Sequence, residues 1–296
     1  MRAVIIVNPK SGLSTGPAGV HASRRDRAAA WAKRTGIAVE VIETASRGHG
    51  AELASSFTTA GVDRVVVWGG DGTVNEAAGP LIGTGTALGI IPGGSGDGLV
   101  RSMKLPRDPE TALRLALQGK PRPIDVGWLG TRHFLNIAGV GFDAEVARRF
   151  NLRKVRGTRG YITEGLKVVW SYGCESCEII VDGRKFAGAH FMAAFANGRE
   201  YGSGLVIAPD ADPSDGWFDM VIVSGGGPLR QLWRSRRLGY RRTSPAEGIT
   251  RDRVKAALII INGERLCCHV DGETFDASGE LEVRMKPGSL QIVSES

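Results

Sequence analysis

Three glycines, an aspartate and a threonine stand together at Gly69-Gly70-Asp71-Gly72-Thr73, directly after the apolar run Val65-Val66-Val67-Trp68. Those residue types suit the binding of an anion. Positions without side chains let a ligand approach bare backbone, and the first amides of a helix point their N–H groups and the positive end of the helix dipole at it. Val74-Asn75-Glu76 begins such a helix, with Asp71 and Thr73 placed to cap it. Phosphate is the ligand this turn favours; a capped tight turn that holds nothing is the plain alternative.

The same chemistry recurs along the first half of the chain. Val7-Asn8-Pro9-Lys10-Ser11-Gly12, Thr44-Ala45-Ser46-Arg47-Gly48-His49-Gly50 and Ile91-Pro92-Gly93-Gly94-Ser95-Gly96-Asp97-Gly98 each close a strand-like run with glycines and hydroxyls. Loops at the carboxyl edge of one parallel sheet build a single crevice, so the recurrence points to a nucleotide. None has the GxxxxGK[ST] spacing of a P-loop, and none fits GxGxxG with an acidic residue at the required distance. In the second half, Val270-Asp271-Gly272-Glu273 sets two carboxylates two positions apart, on one face of the chain if it is extended. Taken alone, those residues read as an Asp-Gly hairpin turn.

Positioning these loops requires strands at Ala3–Val7, Val39–Ile42, Val65–Trp68 and Ala87–Ile91, alternating with helices over Val20–Arg34, Gly50–Thr59 and Thr73–Leu81. That alternation specifies a parallel sheet covered by helices on both faces. After a helix at Pro109–Gln118, Gly119-Lys120-Pro121-Arg122-Pro123 breaks regular structure and marks a domain boundary. Residues 1–123 form an α/β domain and 124–283 an antiparallel β-sandwich, with 284–296 crossing back. Sandwich strands are expected at Ile124–Leu129, His133–Val140, Cys177–Val181, His190–Ala196, Trp217–Val223, Ala257–Ile261 and Cys267–Val270. The closing segment contributes Leu281–Met285 and Leu290–Val293, and helices fall near Ala144–Phe150 and Arg159–Tyr172.

Bulk properties narrow the class. A chain of 296 residues, 42% hydrophobic, supports about two domains with sizeable cores. Glycine, at 42 residues, is well above the usual ~7%, but it gathers in turns without a repeat, which excludes collagen. There is no apolar run of about 18 residues, and MRAVIIVNPK enters a strand without the shape of a signal peptide, so a cytoplasmic protein is expected. The net charge of +7 suggests an anionic partner. Its densest stretch, Arg230 to Arg242, interleaves arginines with Leu232, Trp233, Leu238 and Tyr240, as an interfacial basic helix does. A solvated helix packing Leu232, Trp233 and Leu238 on the body is the alternative, and no nucleic-acid module accompanies the charge. Cys174 and Cys177 have zinc-like spacing, but adjacent Cys267 and Cys268 point to opposite faces of a strand, so four ordinary thiols are expected.

GGDGTVNE, with VNPKSG before it and PGGSGDG after it, resembles the catalytic domain of the diacylglycerol kinase and sphingosine kinase superfamily, nearest its soluble bacterial lipid kinases. FLNIAGVGFDAEVARRF at 134–150, NGREYGSGLVIAPDADPSDGWFDMVIV at 197–223 and VDGE at 270–273 carry the match across nearly the whole chain. The resemblance implies an α/β domain like that of NAD kinases and phosphofructokinases, then a β-sandwich lipid-substrate domain, with ATP bound between them. It further implies ATP-dependent phosphorylation of a hydroxyl of a membrane lipid, diacylglycerol or a related one.

Carried over by position, Asn8, Thr44, Gly69, Gly70, Asp71, Gly72, Thr73, Val74, Asn75, Glu76, Gly94 and Ser95 would contact ATP, and Asp71 would organise Mg2+. Glu273 matches the proton acceptor, with Asp271 in support. The Asp215 side chain with the carbonyls of Asp212 and Trp217 matches a second, structural site for Mg2+ or Ca2+; a plain turn is the alternative. The implied partner is a lipid at a membrane surface, met peripherally from the cytoplasm, and a homodimer is allowed. One departure stands out. Where the family shows Gly-[Thr/Ser]-[Gly/Ala]-Asn-Asp-Phe or Asn-Ala, this chain has Ser95-Gly96-Asp97-Gly98, so Asp97 is either a metal ligand or a charge that weakens ATP binding. A soluble-metabolite kinase of the NAD type and a non-catalytic membrane-binding protein on the same scaffold remain as other readings.

Overall fold

The computed structural model describes residues 1–12, 23–152, 167–202, 204–239 and 246–295. These form two compact units, Met1–Ile124 with Gly288–Ser296, and Asp125–Pro287.

The first unit is an α/β layer structure. Strands β1 (Ala3–Val7), β2 (Val39–Glu43), β3 (Arg64–Gly69) and β4 (Ala87–Pro92) pair in parallel in the order β2-β1-β3-β4. The end of β15 (Glu280–Ser294) runs parallel beside β4, Gln291 opposite Ala87. Every residue of β1 is buried, as are Val65 to Trp68, which explains the continuous apolar runs: helices cover both faces of the sheet. Those helices are α1 (Arg24–Thr35), α2 (His49–Thr59), α3 (Asp71–Ala78), α4 (Gly98–Ser102) and α5 (Pro109–Gln118). Ser23 caps α1 through the Asp26 amide, and Asp108 caps α5 through Thr111 with Pro109 in the first turn. The expected start of α1 at Val20 lies outside the described residues.

Register decides where the loops emerge. Val7 lies opposite both Trp68 and Glu43, and Gly69 lies opposite Pro92. The chain therefore leaves all four strands at one edge, as the glycine-rich sequences require.

The second unit is an antiparallel β-sandwich domain. Its strands are β5 (Lys120–Leu129), β6 (Arg132–Phe134), β7 (Ile137–Gly141), β8 (Glu175–Val181), β9 (Arg184–Ala196), β10 (Phe218–Ser224), β11 (Ile249–Val254), β12 (Ala256–Ile261), β13 (Leu266–Val270), β14 (Glu273–Ala277) and the start of β15. The longest path runs β14-β13-β7-β9-β8-β12-β15, and β10 joins β9 to β11. Period-2 alternation feeds two cores from one strand: Ala193 and Phe195 of β9 enter one cluster, Met192, Ala194 and Ala196 the other. Helices α6 (Phe142–Asn151) and α7 (Pro228–Ser235) lie in this unit.

Several expected elements are corrected. Gly119 bends the chain, but Lys120–Pro123 is not irregular, because β5 runs straight through Pro121 and Pro123; the two units divide just beyond, after Ile124. His133–Val140 is two strands, interrupted at Leu135 and Asn136. Leu281–Met285 and Leu290–Val293 are parts of one strand, and β11 and β14 were not anticipated. Of the helix expected at Arg159–Tyr172, residues 167–171 are helical and residues before 167 lie outside the described set. The basic stretch is helical to Ser235 and turns to Gly239; Tyr240, Arg241 and Arg242 also lie outside it.

Candidate active site

At the carboxyl edge of the parallel sheet, the loops are locked to each other by their own polar groups. Asn8 donates through Nδ2 to the Thr73 hydroxyl at 2.8 Å, while its Oδ1 accepts from the Lys10 amide at 2.9 Å. The Gly93 amide donates to Gly69 O at 2.9 Å, and the Thr44 amide to Val7 O at 2.9 Å. A Cβ on Gly94 would lie 2.8 Å from Gly70 Cα, so these two backbones touch only because both residues are glycine. Arg24 binds three carbonyl and hydroxyl groups of this edge, Asn8 O at 2.9 Å, Gly93 O at 3.0 Å and Ser11 Oγ, and its burial lowers its pKa. Glu76 reaches back from α3 to accept the Gly48 amide at 3.0 Å. Asn8, Thr44, Gly69 to Glu76, Gly94 and Ser95 are thus brought to one edge of one unit.

The capping expected of Asp71 and Thr73 is corrected. Gly70, extended, is the N-cap of α3, and as a glycine it supplies no side-chain cap. Asp71 lies in the first turn, and its Oδ1 accepts the Gly98 amide at 2.8 Å, tying the β3–α3 turn to the start of α4. The first turn of α3 begins at this sheet edge, and first-turn amides, which lack intrahelical acceptors, favour an anion there. Asp97 caps α4 in left-handed backbone, φ 51°, and its Oδ1 accepts from Gly94 N at 3.0 Å. Burial raises its pKa, against the Gly94 hydrogen bond and Arg107, Arg101 and Arg24.

In the sandwich unit, Asp271 and Gly272 have φ of 49° and 87°, and Val270 pairs with Glu273 across them. This is the two-residue hairpin turn read from the residues alone. Asp271 and Glu273 consequently do not share an extended face. The Asp271 carboxylate instead accepts three backbone amides, Leu135 at 2.8 Å, Asn136 at 2.9 Å and Ile137 at 3.0 Å, while its own amide donates to Ile137 O. It fixes the hairpin that carries half-buried Glu273 at the first position of β14.

From the loop held by Asp271, the polar contacts continue. Fully buried Asn197 donates to Leu135 O at 2.8 Å and to Asp125 O at 2.9 Å. Asp125 accepts the Gly216 amide at 2.6 Å and donates its amide to Pro213 O at 2.7 Å, anchoring the Asp212–Trp217 loop. Within that loop, Asp212 Oδ1 accepts the Ser214 amide and hydroxyl, Asp215 Oδ1 accepts the Trp217 amide at 3.0 Å, and Asp215 Oδ2 pairs with the Arg253 guanidinium. Arg253 and the Lys255 ammonium also stand over the Trp217 ring, Lys255 at 4.5 Å. The Arg253 guanidinium therefore competes with a divalent cation for the Asp215 carboxylate, and the Lys255 ammonium over Trp217 adds like charge nearby.

Sequence reasoning missed His269, Asp143 and Tyr201. His269 and Asp143 are buried and meet at 3.0 Å through His269 Nε2, and Tyr201 donates to the same Asp143 oxygen at 2.8 Å. The Gly272 amide donates to His269 Nδ1 at 3.3 Å, so this network braces the hairpin from below and puts the ring proton on Nε2. A histidine inside the otherwise apolar Leu266-Cys267-Cys268-His269-Val270 was the available signal. The cysteines are all free; Cys267, pushed up to about 12 by burial, is a poor nucleophile and metal ligand. Among the described residues no group of three or more His, Cys, Asp or Glu is placed to hold a metal.

An α/β unit with glycine-rich loops at one sheet edge, followed by a β-sandwich carrying a braced carboxylate hairpin, defines a class that the comparisons identify. Residues 2–129 match the diacylglycerol kinase catalytic domain, and residues 136–294 match the YegS C-terminal NAD kinase beta sandwich-like domain. The chain belongs to this lipid kinase and diacylglycerol kinase family. It is 36% identical over 192 residues to the Chromohalobacter salexigens protein named "Probable lipid kinase YegS-like", covering 62% of this chain and 61% of that relative. It is 31% identical over 244 residues to a Mycobacterium tuberculosis diacylglycerol kinase, covering 78% and 76%. A crystal structure of a diacylglycerol kinase from Bacillus anthracis has the same fold, with TM-score 0.75 at 19% identity over 99% of this chain and 97% of that one. The family uses ATP, and no helix among the described residues is long and apolar enough to cross a membrane.

Proposed function

We propose that this protein transfers the γ-phosphoryl group of ATP to a hydroxyl of a membrane lipid, diacylglycerol or a close relative, and that it meets the membrane peripherally. The observation that carries the reading is the glycine-led first turn of α3, framed by the Gly70–Gly94 contact and held by Asn8, Asp71 and Arg24. Such a turn is shaped for phosphate oxygens, and preorganised amides cost little rearrangement when charge develops on the transferred group. Thr44 and Ser95 stand at the same edge to orient the nucleotide. Asp71 fits the Mg2+ that accompanies ATP, because that ion takes one or two carboxylates and completes its shell with phosphate and water oxygens; when bound it neutralises phosphate charge.

The acceptor side is assigned to Glu273. A carboxylate that accepts the proton of the attacking hydroxyl contributes about 10²–10⁴-fold to such a reaction. Asp271 supplies no proton path of its own in this reading. Its three amide bonds set the position of the Glu273 backbone, and the His269–Asp143–Tyr201 network holds the turn from the other side.

The test is radiolabel transfer from ATP to diacylglycerol in mixed micelles with Mg2+, with NAD in detergent-free buffer as the competing acceptor. Labelled phospholipid is the expected product. Label on NAD alone would select the soluble-metabolite kinase, and no transfer with no nucleotide binding would select the non-catalytic scaffold.

A further inference from the structure

We propose that the outward edge of α7, formed by Leu229 and Trp233 among Arg230, Arg236 and Arg237, is a docking surface for an anionic phospholipid bilayer. The surface gives the lipid-kinase reading its access to substrate and rests on that reading for its purpose, though not for its chemistry.

The helix is inverted. Its buried residues are polar: Gln231 is 3% exposed and Arg234 is 4% exposed. Arg234 donates to Ser224 O at 2.7 Å, Gly225 O at 3.2 Å and Glu247 O at 3.2 Å, and Gln231 donates through Nε2 to Ser224 O at 2.9 Å. Arg251 in turn holds the carbonyls of Arg237 and Leu238 in the following turn. Backbone carbonyls of the sandwich unit thus fasten α7 by its polar side, and the opposite side faces water with apolar groups. Leu229 is 71% exposed and Trp233 is 43% exposed, and their i, i+4 spacing puts them together on one face. A helix that spends its arginine and glutamine inward and its leucine and tryptophan outward is built for a second, non-aqueous contact.

Charge selects the occupant. Residues 225–239 contain no aspartate or glutamate. Arg230 and Arg236 are exposed beside the apolar pair, and the Arg237 guanidinium lies 4.2 Å over the Trp233 ring. Tryptophan favours the headgroup level of a bilayer, and arginines around it meet lipid phosphates while their stems follow the apolar region. An anionic lipid surface satisfies both sets of groups at once. Of the three residues expected to pack on the body, Leu238 does so in the second sandwich core and Leu232 is half-buried, while Trp233 is exposed and its expected packing is corrected.

The full chain is sedimented with vesicles of phosphatidylglycerol and phosphatidylcholine, and with phosphatidylcholine alone, at low and high salt. Binding to the anionic vesicles only, released by salt, is expected. Leu229→Asp combined with Trp233→Asp should weaken it at least tenfold, and Arg230→Ala with Arg236→Ala about fivefold per arginine. The arginine pair decides the matter if the apolar pair fails to fold. Indifference of the wild type to anionic vesicles overturns the proposal, as does unchanged binding by the variants or a dimer that the apolar substitutions split. Phosphoryl transfer to a short-chain diacylglycerol kept below its micelle concentration separates the two readings. Variants that keep transfer and lose vesicles support the surface. A wild type that binds vesicles and transfers nothing defeats the kinase reading alone, and one that transfers without binding vesicles defeats the surface alone.

Discussion

Asp97 concentrates the electrostatics of the glycine-rich sheet edge in one side chain. Burial holds its carboxyl pKa above the ordinary range, so between the unfolded and folded pKa values the folded chain binds more protons than the unfolded one. Stability from this group is then greatest on the acid side and is lost as pH rises through its folded pKa. Asp97→Asn keeps an acceptor for Gly94 N and tolerates the left-handed backbone, while removing the charge. Thermal melts across pH should show a higher Tm at neutral pH, by roughly 2–4 °C for a gain of about 1 kcal/mol, and a flatter acid-to-neutral slope. A lower Tm would mean that Arg24, Arg101 and Arg107 depend on the negative charge. At this scale the sequence reveals types and hides contacts. The Asp-Gly turn at 271 was legible because turn chemistry is local. That its carboxylate holds amides 134 to 136 residues earlier in the chain was not, since nothing in the intervening pattern records that distance.

Among elements, the four glycine-rich loops were legible because continuous β-branched runs announce doubly covered parallel strands, and parallel register then aligns their ends. The sandwich was less so. β11, Ile249-Thr250-Arg251-Asp252-Arg253-Val254, is half-buried through its middle and lacks apolar alternation, so it carries no period-2 signal. That strand supplies Arg253, whose pairing with Asp215 changes the reading of the Asp212–Trp217 loop. If the guanidinium supplies the positive charge there, chelation with EDTA should shift Tm by less than about 1 °C. Arg253→Ala, by contrast, should lower it by a few degrees, the partly exposed pair being worth about 1 kcal/mol or less, and Mg2+ should then restore part of the loss. A large EDTA effect on the wild type, in a melt without nucleotide, would return the loop to metal binding.

Across the whole molecule, the division of labour follows the two units. The α/β unit presents amides and Asp71 at a sheet edge, and the sandwich unit presents Glu273 on a hairpin held by Asp271 and the buried His269. A net charge of +7 suits both a triphosphate and an anionic lipid surface. The central claim is that nucleotide binding belongs to the first unit and activation of the hydroxyl to Glu273. The direct measurement pairs ATP titration calorimetry with the rate of label transfer to diacylglycerol for wild type and Glu273→Gln. The account predicts a rate reduced by about 10²-fold or more with an ATP Kd changed by less than about threefold. An unchanged rate, or a loss of ATP binding equal to the loss of rate, would contradict it.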